Sequence, residues 1–274
     1  GELFCGNDGG FITHDVNGFF RDHSKGLNIG QYYKVNFADL YNVDTDLIIG
    51  GTQDNGGQIL KNRIWKNWHG ADGMDCAIGS GNEGLIYGLM QHGDKLFYGR
   101  DLGEYYGGSI QKPVDEKNSL WVVASDINGK DEMYVGYDAL YKANIASGKF
   151  EKLHDFGATI YSFIIDDNND NIIYALVTTD SNVTSYESML FKSIDGGKTF
   201  NVFHDDADPI EEMELSQDGS NTIWFITQTR NGDEKLYKAN TTGQTASGVT
   251  LVSNNLPKNI NVIKHQPYSN NLFL

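Results

Sequence analysis

Proline is scarce, at 4 of 274 residues, and cysteine scarcer still, at 2. So little proline excludes Pro-rich spacers and polyproline recognition segments. Two cysteines, Cys5 and Cys76, cannot build a disulfide framework; they leave either one bridge or two free thiols. Positive charge is also short: Lys and Arg number 21 against 37 Asp and Glu, a formal net charge of −16. A duplex nucleic-acid binder needs a basic face, so that function is disfavoured, as is attraction to an anionic membrane. No apolar run reaches the length of a membrane span, so insertion is not expected. No window holds apolar residues at helical spacing. Missing too are a paired-His zinc helix, a Gly-x-Ser-x-Gly elbow and a phosphate loop, so neither cofactor nor metal is expected. Asp126–Asp131 has a faint calcium-loop spacing without the downstream Glu, and is read as a turn.

Glycine and aromatics are abundant: 32 Gly, 15 Tyr, 14 Phe and 4 Trp. That balance belongs to many short strands joined by tight turns. One short apolar run recurs, as Leu3-Phe4-Cys5-Gly6, Leu47-Ile48-Ile49-Gly50, Leu85-Ile86-Tyr87-Gly88, Met133-Tyr134-Val135-Gly136, Ile172-Ile173-Tyr174-Ala175, Ile223-Trp224-Phe225-Ile226 and Leu272-Phe273-Leu274. Its starts at 3, 47, 85, 133, 172, 223 and 272 are 38 to 51 residues apart. That interval is the length of a four-stranded propeller blade. A first strand precedes the run in Tyr32–Phe37, Ile160–Ile165 and Ile260–Lys264. A third follows in Phe11–Thr13, Gln58–Leu60, Lys95–Tyr98, Ala139–Lys142, Met189–Lys192 and Lys235–Lys238. The run is then the second strand, apolar on both sides because sheets stack against both. The expected fold is all-β, a β-propeller of about six to seven four-stranded blades. Residues 1–274 form one such domain or a fragment of one, possibly within a longer array.

Ser193-Ile194-Asp195-Gly196-Gly197-Lys198-Thr199-Phe200 matches the pattern Ser-x-Asp-x-Gly-x-Thr-(Trp/Phe), the Asp-box. Its carboxylate suits capping backbone N–H groups, its glycine a left-handed turn, and its aromatic the blade interior. Asp101–Tyr106 and residues 13–20 read as degraded copies. In Asp-box proteins the motif joins the third and fourth strands, away from the ligand face. Ser193, Asp195, Gly197, Thr199, Phe200 and Asp101 are therefore structural. The series Gly6–Gly10, Gly26–Tyr33, Gly50–Gly57, Trp68–Asp75 and Tyr87…Gln91-His92-Gly93 resembles secreted bacterial sortilin-type propellers with Asp-box (BNR) repeats, common in Bacteroidetes and labelled glycosyl hydrolase or exo-sialidase-like. The resemblance covers residues 3–105. It implies a propeller and export, to the medium or the bacterial cell surface.

Loops between second and third strands share one face with those linking each blade to the next. Here they are polar and glycine-rich, so a ligand site is expected among them. Gln53, Asn55, Gln91 and His92 are the candidate binding residues; the amides of Gln53 and Gln91 have little turn rationale and suit a ligand amide or hydroxyl. Asp8, Asp54, Asp72 and Asp75 are the candidate catalytic carboxylates, although the first three also suit turns. Glycoside hydrolysis needs two carboxyl groups about 5–10 Å apart; xyloglucan-active hydrolases with related propellers divide such a pair between two propellers. Sialidase chemistry, which uses an arginine trio, is disfavoured with only Arg21, Arg63, Arg100 and Arg230. Tyr105 and Tyr106 suit sugar stacking or a blade core. The leading expectation is a glycan- or protein-binding module, with a glycoside hydrolase as alternative and a structural spacer as a third reading. Gly1 is no initiator and Asn271–Leu274 reads as a strand just beginning, so further domains of the same polypeptide are expected.

Overall fold

The computed structural model describes residues 3–7, 10–23, 30–37, 47–81, 83–116, 119–178, 188–206, 208–216, 218–258, 260, 262–266 and 271–274. They form two compact units, Gly1–Lys112 and Pro113–Leu274.

In the first unit, β1 (Leu3–Asn7), β2 (Gly10–His14) and β3 (Phe20–Asp22) make a three-stranded sheet. A four-stranded sheet follows, of β4 (Tyr32–Phe37), β5 (Leu47–Thr52), β6 (Gly56–Lys61) and β7 (Ile64–His69). The third sheet holds β8 (Gly73–Ile78), β9 (Ile86–Met90), β10 (Lys95–Arg100) and β11 (Tyr105–Gln111). A single 3-10 turn, Gln91–Gly93, joins β9 to β10.

In the second unit, the first sheet contains β12 (Ala124–Ile127), β13 (Met133–Gly136), β14 (Ala139–Asn144) and β15 (Lys149–Asp155). The second contains β16 (Ile160–Asp166), β17 (Asn169–Thr178), β18 (Ser188–Ser193) and β19 (Asn201–Asp205). The third contains β20 (Ile210–Leu215), β21 (Thr222–Gln228), β22 (Glu234–Asn240) and β23 (Ser247–Ser253). A pair of short strands, β24 (Lys264–His265) and β25 (Leu272–Phe273), ends the chain.

Every pairing is antiparallel between neighbours in sequence, so each sheet is a meander. The recurring apolar run is the second strand of each complete sheet, and it is the most buried one. Ile49, Leu89, Val135, Ile173 and Phe225 are all inaccessible to solvent. Burying such a side chain stabilises by about 2 kcal/mol. β1 differs, with Leu3 and Phe4 exposed, because it lies at the edge of its three-stranded sheet. The first strand of the last repeat also differs: it is Lys264–His265, where Ile260–Lys264 was expected.

Sheet-on-sheet packing forms each core. In the second unit, Tyr134, Leu140, Phe163 and Ile173 join the first sheet to the second, and Leu176, Leu190, Met213 and Phe225 join the second to the third. In the first unit, Leu47, Ile49, Ile59, Cys76 and Ile86 join its two four-stranded sheets. Cys5 is exposed and Cys76 buried, both as free thiols.

The Ser193–Phe200 turn joins the third strand β18 to the fourth, β19. Asp195 Oδ1 accepts the N–H groups of Lys198 at 3.0 Å and Thr199 at 2.9 Å, and Oδ2 accepts the Thr199 hydroxyl at 2.6 Å. Those donors, the hydroxyl first, hold the carboxylate at a pKa of about 2. Ser193 Oγ accepts the Gly197 N–H at 2.9 Å. Gly197 has φ +86°, which only glycine adopts without strain. Phe200 packs on Phe156, ring centroids 4.9 Å apart. In the degraded copy, Asp15 likewise accepts the Asn17 and Phe19 N–H groups. Asp101 lies in the turn between β10 and β11, which backbone bonds close, from Gly103 N–H to the Arg100 carbonyl and from Glu104 N–H to the Asp101 carbonyl. Asp195→Ala is expected to cost about 1–2 kcal/mol, the usual loss of a backbone cap, in urea denaturation at pH 7.

Candidate functional site

Three loops at one end of the strands meet in the first unit. They are residues 53–55 between β5 and β6, 70–72 between β7 and β8, and 91–94 between β9 and β10. Asp72 ties them together. Its Oδ1 accepts the Asp54 N–H at 2.6 Å. Its own N–H donates to Gln91 Oε1 at 3.3 Å, and its carbonyl accepts the Gln91 N–H at 3.1 Å. Asp54, Asp72 and Gln91, read separately from sequence, are thus brought into one hydrogen-bonded group.

Each loop also holds a non-glycine residue in the left-handed region: Asp54 at φ 60°, Ala71 at φ 66° and His92 at φ 56°. Such a conformation persists only where surrounding structure enforces it, and it recurs at binding and catalytic loops. Asn55 braces its own loop. Its side-chain amide donates to the Gln53 carbonyl at 3.1 Å, and its carbonyl accepts amides from Gln58, at 2.7 Å, and Asn67. The Gln53 N–H donates to the Gln31 carbonyl at 3.1 Å. Asp75 belongs to strand β8, not the loop, and its Oδ1 accepts the Cys76 N–H at 2.8 Å. Asp8 lies outside the described residues.

The glycines around these loops have a packing reason that local sequence does not carry. A Cβ on Gly51 would lie 1.8 Å from the Met74 carbonyl oxygen, and one on Gly56 1.8 Å from that of His69. At Gly51 two sheets meet backbone to backbone, and at Gly56 two neighbouring strands of one sheet do. Gly57 and Gly88 leave room for His69 and Trp68: a Cβ on Gly57 would be 2.2 Å from His69 Nε2, and one on Gly88 2.7 Å from Trp68 Cζ2. The His69 ring stacks on Phe97 at 4.6 Å and 8°, with Trp68 edge-on at 4.8 Å. Gln58, Asn67 and His69 were not anticipated as supports, since nothing in their local spacing signals contact with loops further along the chain.

Other sequence candidates lie elsewhere. Tyr105 and Tyr106 are exposed on the outer strand β11, beside the turn at the opposite end of the strands, and they fill no core. Arg100 is ion-paired to Glu83. In the Asp126–Asp131 segment Asp126 accepts the Ile127 and Ile165 N–H groups, while Asn128 Oδ1 accepts those of Lys130 and Glu132. These bonds make it a turn.

The second unit contains a buried carboxylate of its own. Glu116 is 7% exposed; Oε1 accepts the Tyr141 hydroxyl at 2.7 Å and Oε2 the Asp138 N–H at 3.1 Å. Burial raises its pKa. A raised folded-state pKa means the fold favours the protonated form. The associated stability is full below the unfolded value of about 4.3 and is lost as pH rises through the folded value. Glu116→Gln, which imitates the protonated form, is expected to remove this slope and to stay within about 1 kcal/mol of the wild type at pH 7. Glu116→Ala is expected to cost about 2 kcal/mol by stranding both donors. Urea denaturation of the three proteins at pH 4 to 7 measures both effects.

No protein-family model and no curated protein sequence matches the chain. Solved structures do match its fold. A GH74 enzyme of Niastella koreensis superposes with a TM-score of 0.58 at 16% identity, over 82% of this chain and 37% of the enzyme. An ancestral GH74 enzyme gives 0.60 at 15% identity, over 84% of this chain and 32% of its own. The WD40 domain of Toxoplasma gondii coronin gives 0.54 at 10% identity, over 78% of this chain and 57% of its own. The chain is therefore an all-β protein of the β-propeller class, with about seven blades counted by the seven sheets among the described residues. It spans about a third of the length of the two GH74 enzymes.

Proposed function

We propose that the chain is an exported Asp-box propeller module, of the bacterial sortilin-type or BNR kind, that binds a glycan or a protein at the three-loop face of its first unit. The observation that carries this reading is the convergence of three polar loops on Asp72, each holding a residue in a left-handed conformation. Loops held this firmly are pre-organised, which lowers the entropy lost on binding. The acidic balance of the chain, −16, favours a neutral glycan or a basic protein surface over a polyanion. The Asp195 and Asp15 turns support the Asp-box assignment. Further domains and a place at the bacterial surface belong to the same proposal.

The second reading, a glycoside hydrolase, draws support from the fold shared with two GH74 enzymes. In that reading the carboxylate pair is drawn from Asp54 and Asp72, whose loops meet where Asp72 Oδ1 accepts the Asp54 N–H. A glycan array together with a reducing-sugar assay on polysaccharides separates the two. Binding without turnover, weakened at least about tenfold by Asp72→Ala, is the expected result. Sugar release abolished by Asp54→Ala would establish the hydrolase instead. Ligand binding unaffected by Asp54→Ala, Asp72→Ala and Gln91→Ala would overturn the site.

A further inference from the structure

Beneath the three loops stands one buried imidazole. His69 is the last residue of β7 and is 6% exposed. Its Nδ1 lies 3.0 Å from the Gly70 carbonyl oxygen, which requires a proton on that nitrogen. Its Nε2 abuts the main chain at Gly57 and Gly88, where glycine alone fits. Its own carbonyl oxygen contacts Gly56, directly after the loop that carries Asp54. The ring and its main chain thus support two of the three loops from below.

We propose that His69 is an acid-sensitive support for the loop face, and that protonating its imidazole loosens residues 53–57 and 70–73. In the neutral ring, Nδ1–H is satisfied and Nε2 needs no donor. In the imidazolium, Nε2 gains a proton packed against the Gly57 and Gly88 backbone, whereas the hydrogen bond of the ring to Gly70 is made by Nδ1.

The charged and titratable groups on the surrounding strands are engaged elsewhere. Lys61 on β6 and Lys66 on β7 are ion-paired to Glu104. Asp75 on β8 caps the Cys76 N–H, and burial keeps Cys76 a neutral thiol. Tyr87 on β9 is buried. Lys95 on β10 sits 5.6 Å from the centroid of Phe97, the ring on which His69 stacks, and adds positive charge. Among the described residues His69 has no carboxylate partner. In the loops, Asp72 uses Oδ1 on Asp54 N–H. Burial accordingly lowers the His69 pKa, with the Gly70 bond opposing it. A folded value below the unfolded one of about 6.5 gives stability that is full above that pH and lost as pH falls through the folded value. The loop face is then firm at neutral pH and loosened in acid, whatever its ligand.

The test is hydrogen exchange of the whole chain between pH 7.5 and 5, corrected for intrinsic rates, alongside an NMR titration of the His69 ring. Wild type is expected to show a step of at least about tenfold in exchange at residues 53–57 and 70–73, with β13 and β17 unchanged. His69→Gln, which retains an amide donor for the Gly70 carbonyl, is expected to lose the step; His69→Phe is the second variant should Gln impair folding. Asp72→Asn is expected to keep the step. A His69 ring that titrates with an ordinary midpoint, or a step that survives in both His69 variants, would overturn the proposal. So would a step lost only in Asp72→Asn. None of these outcomes bears on ligand binding, so the proposed function stands or falls separately.

Discussion

Gly51→Ala is expected to destabilise the first unit by about 4 kcal/mol, the severe end of the range for single substitutions. The added Cβ would lie 1.8 Å from the Met74 carbonyl oxygen and 2.5 Å from the Met74 nitrogen and the Gly73 carbonyl carbon. All three are main-chain atoms of β8, which pairs with β9 on either side of an irregularity between Gly73 and Cys76, so no side chain can turn aside. The sheets must separate, and with them the cluster of Ile49, Ile59, Cys76 and Ile86. Overpacking that moves backbone costs more than overpacking absorbed by rotamers. Gly70→Ala is the control: a Cβ there meets nothing within 4 Å, and the change is expected to stay within about 0.5 kcal/mol. Urea denaturation followed by tryptophan emission measures both, since Trp65 and Trp68 lie in this unit. A loss under about 1 kcal/mol for Gly51→Ala would show that β5 and β8 pack less closely than these contacts require.

That same contact marks where sequence reading stops. The rhythm of strands was legible because it is local: a second strand buried on both sides must be apolar throughout, so Leu47–Gly50 and Met133–Gly136 stand out from polar turns. The turn chemistry of Ser193–Phe200 was legible for the same reason, since donors and acceptor lie within seven residues of one another. The glycines at 51, 56, 57, 73 and 88 carried no such signal. They invite a reading as hairpin turns, yet what requires them is the backbone of another sheet or of the neighbouring strand, or the rings of Trp68 and His69. The candidate site was half legible. Asp54, Asp72 and Gln91 stood out as polar residues in expected loops. That one of them, Asp72, would hold the other two depends on how far apart the loops sit in space, which spacing along the chain does not encode.

Lys192→Ala is expected to cost about 3 kcal/mol in the second unit. Lys192 is 4% exposed, and its Nζ donates to the carbonyls of Thr241 at 2.6 Å and Gly243 at 2.8 Å. Its ammonium also lies 5.3 Å from the Tyr174 ring centroid and 5.6 Å from that of Phe203. Burial lowers its pKa, with the charge of Asp166 opposing, so the carbonyls and rings hold an ammonium that burial disfavours. One side chain thereby ties β18 to the turn between β22 and β23. Alanine removes two charge-assisted bonds, strands two carbonyls and leaves a cavity, effects that together reach about 3 kcal/mol. Lys192→Met separates volume from hydrogen bonding: it refills the space and still strands the carbonyls, so about half the loss is expected to remain. If Met instead restores full stability in urea denaturation, the tie is a matter of packing, and the ammonium contributes nothing net. If Met is as damaging as Ala, the two carbonyls carry the whole interaction, and this lysine is the polar joint between the second and third sheets of its unit.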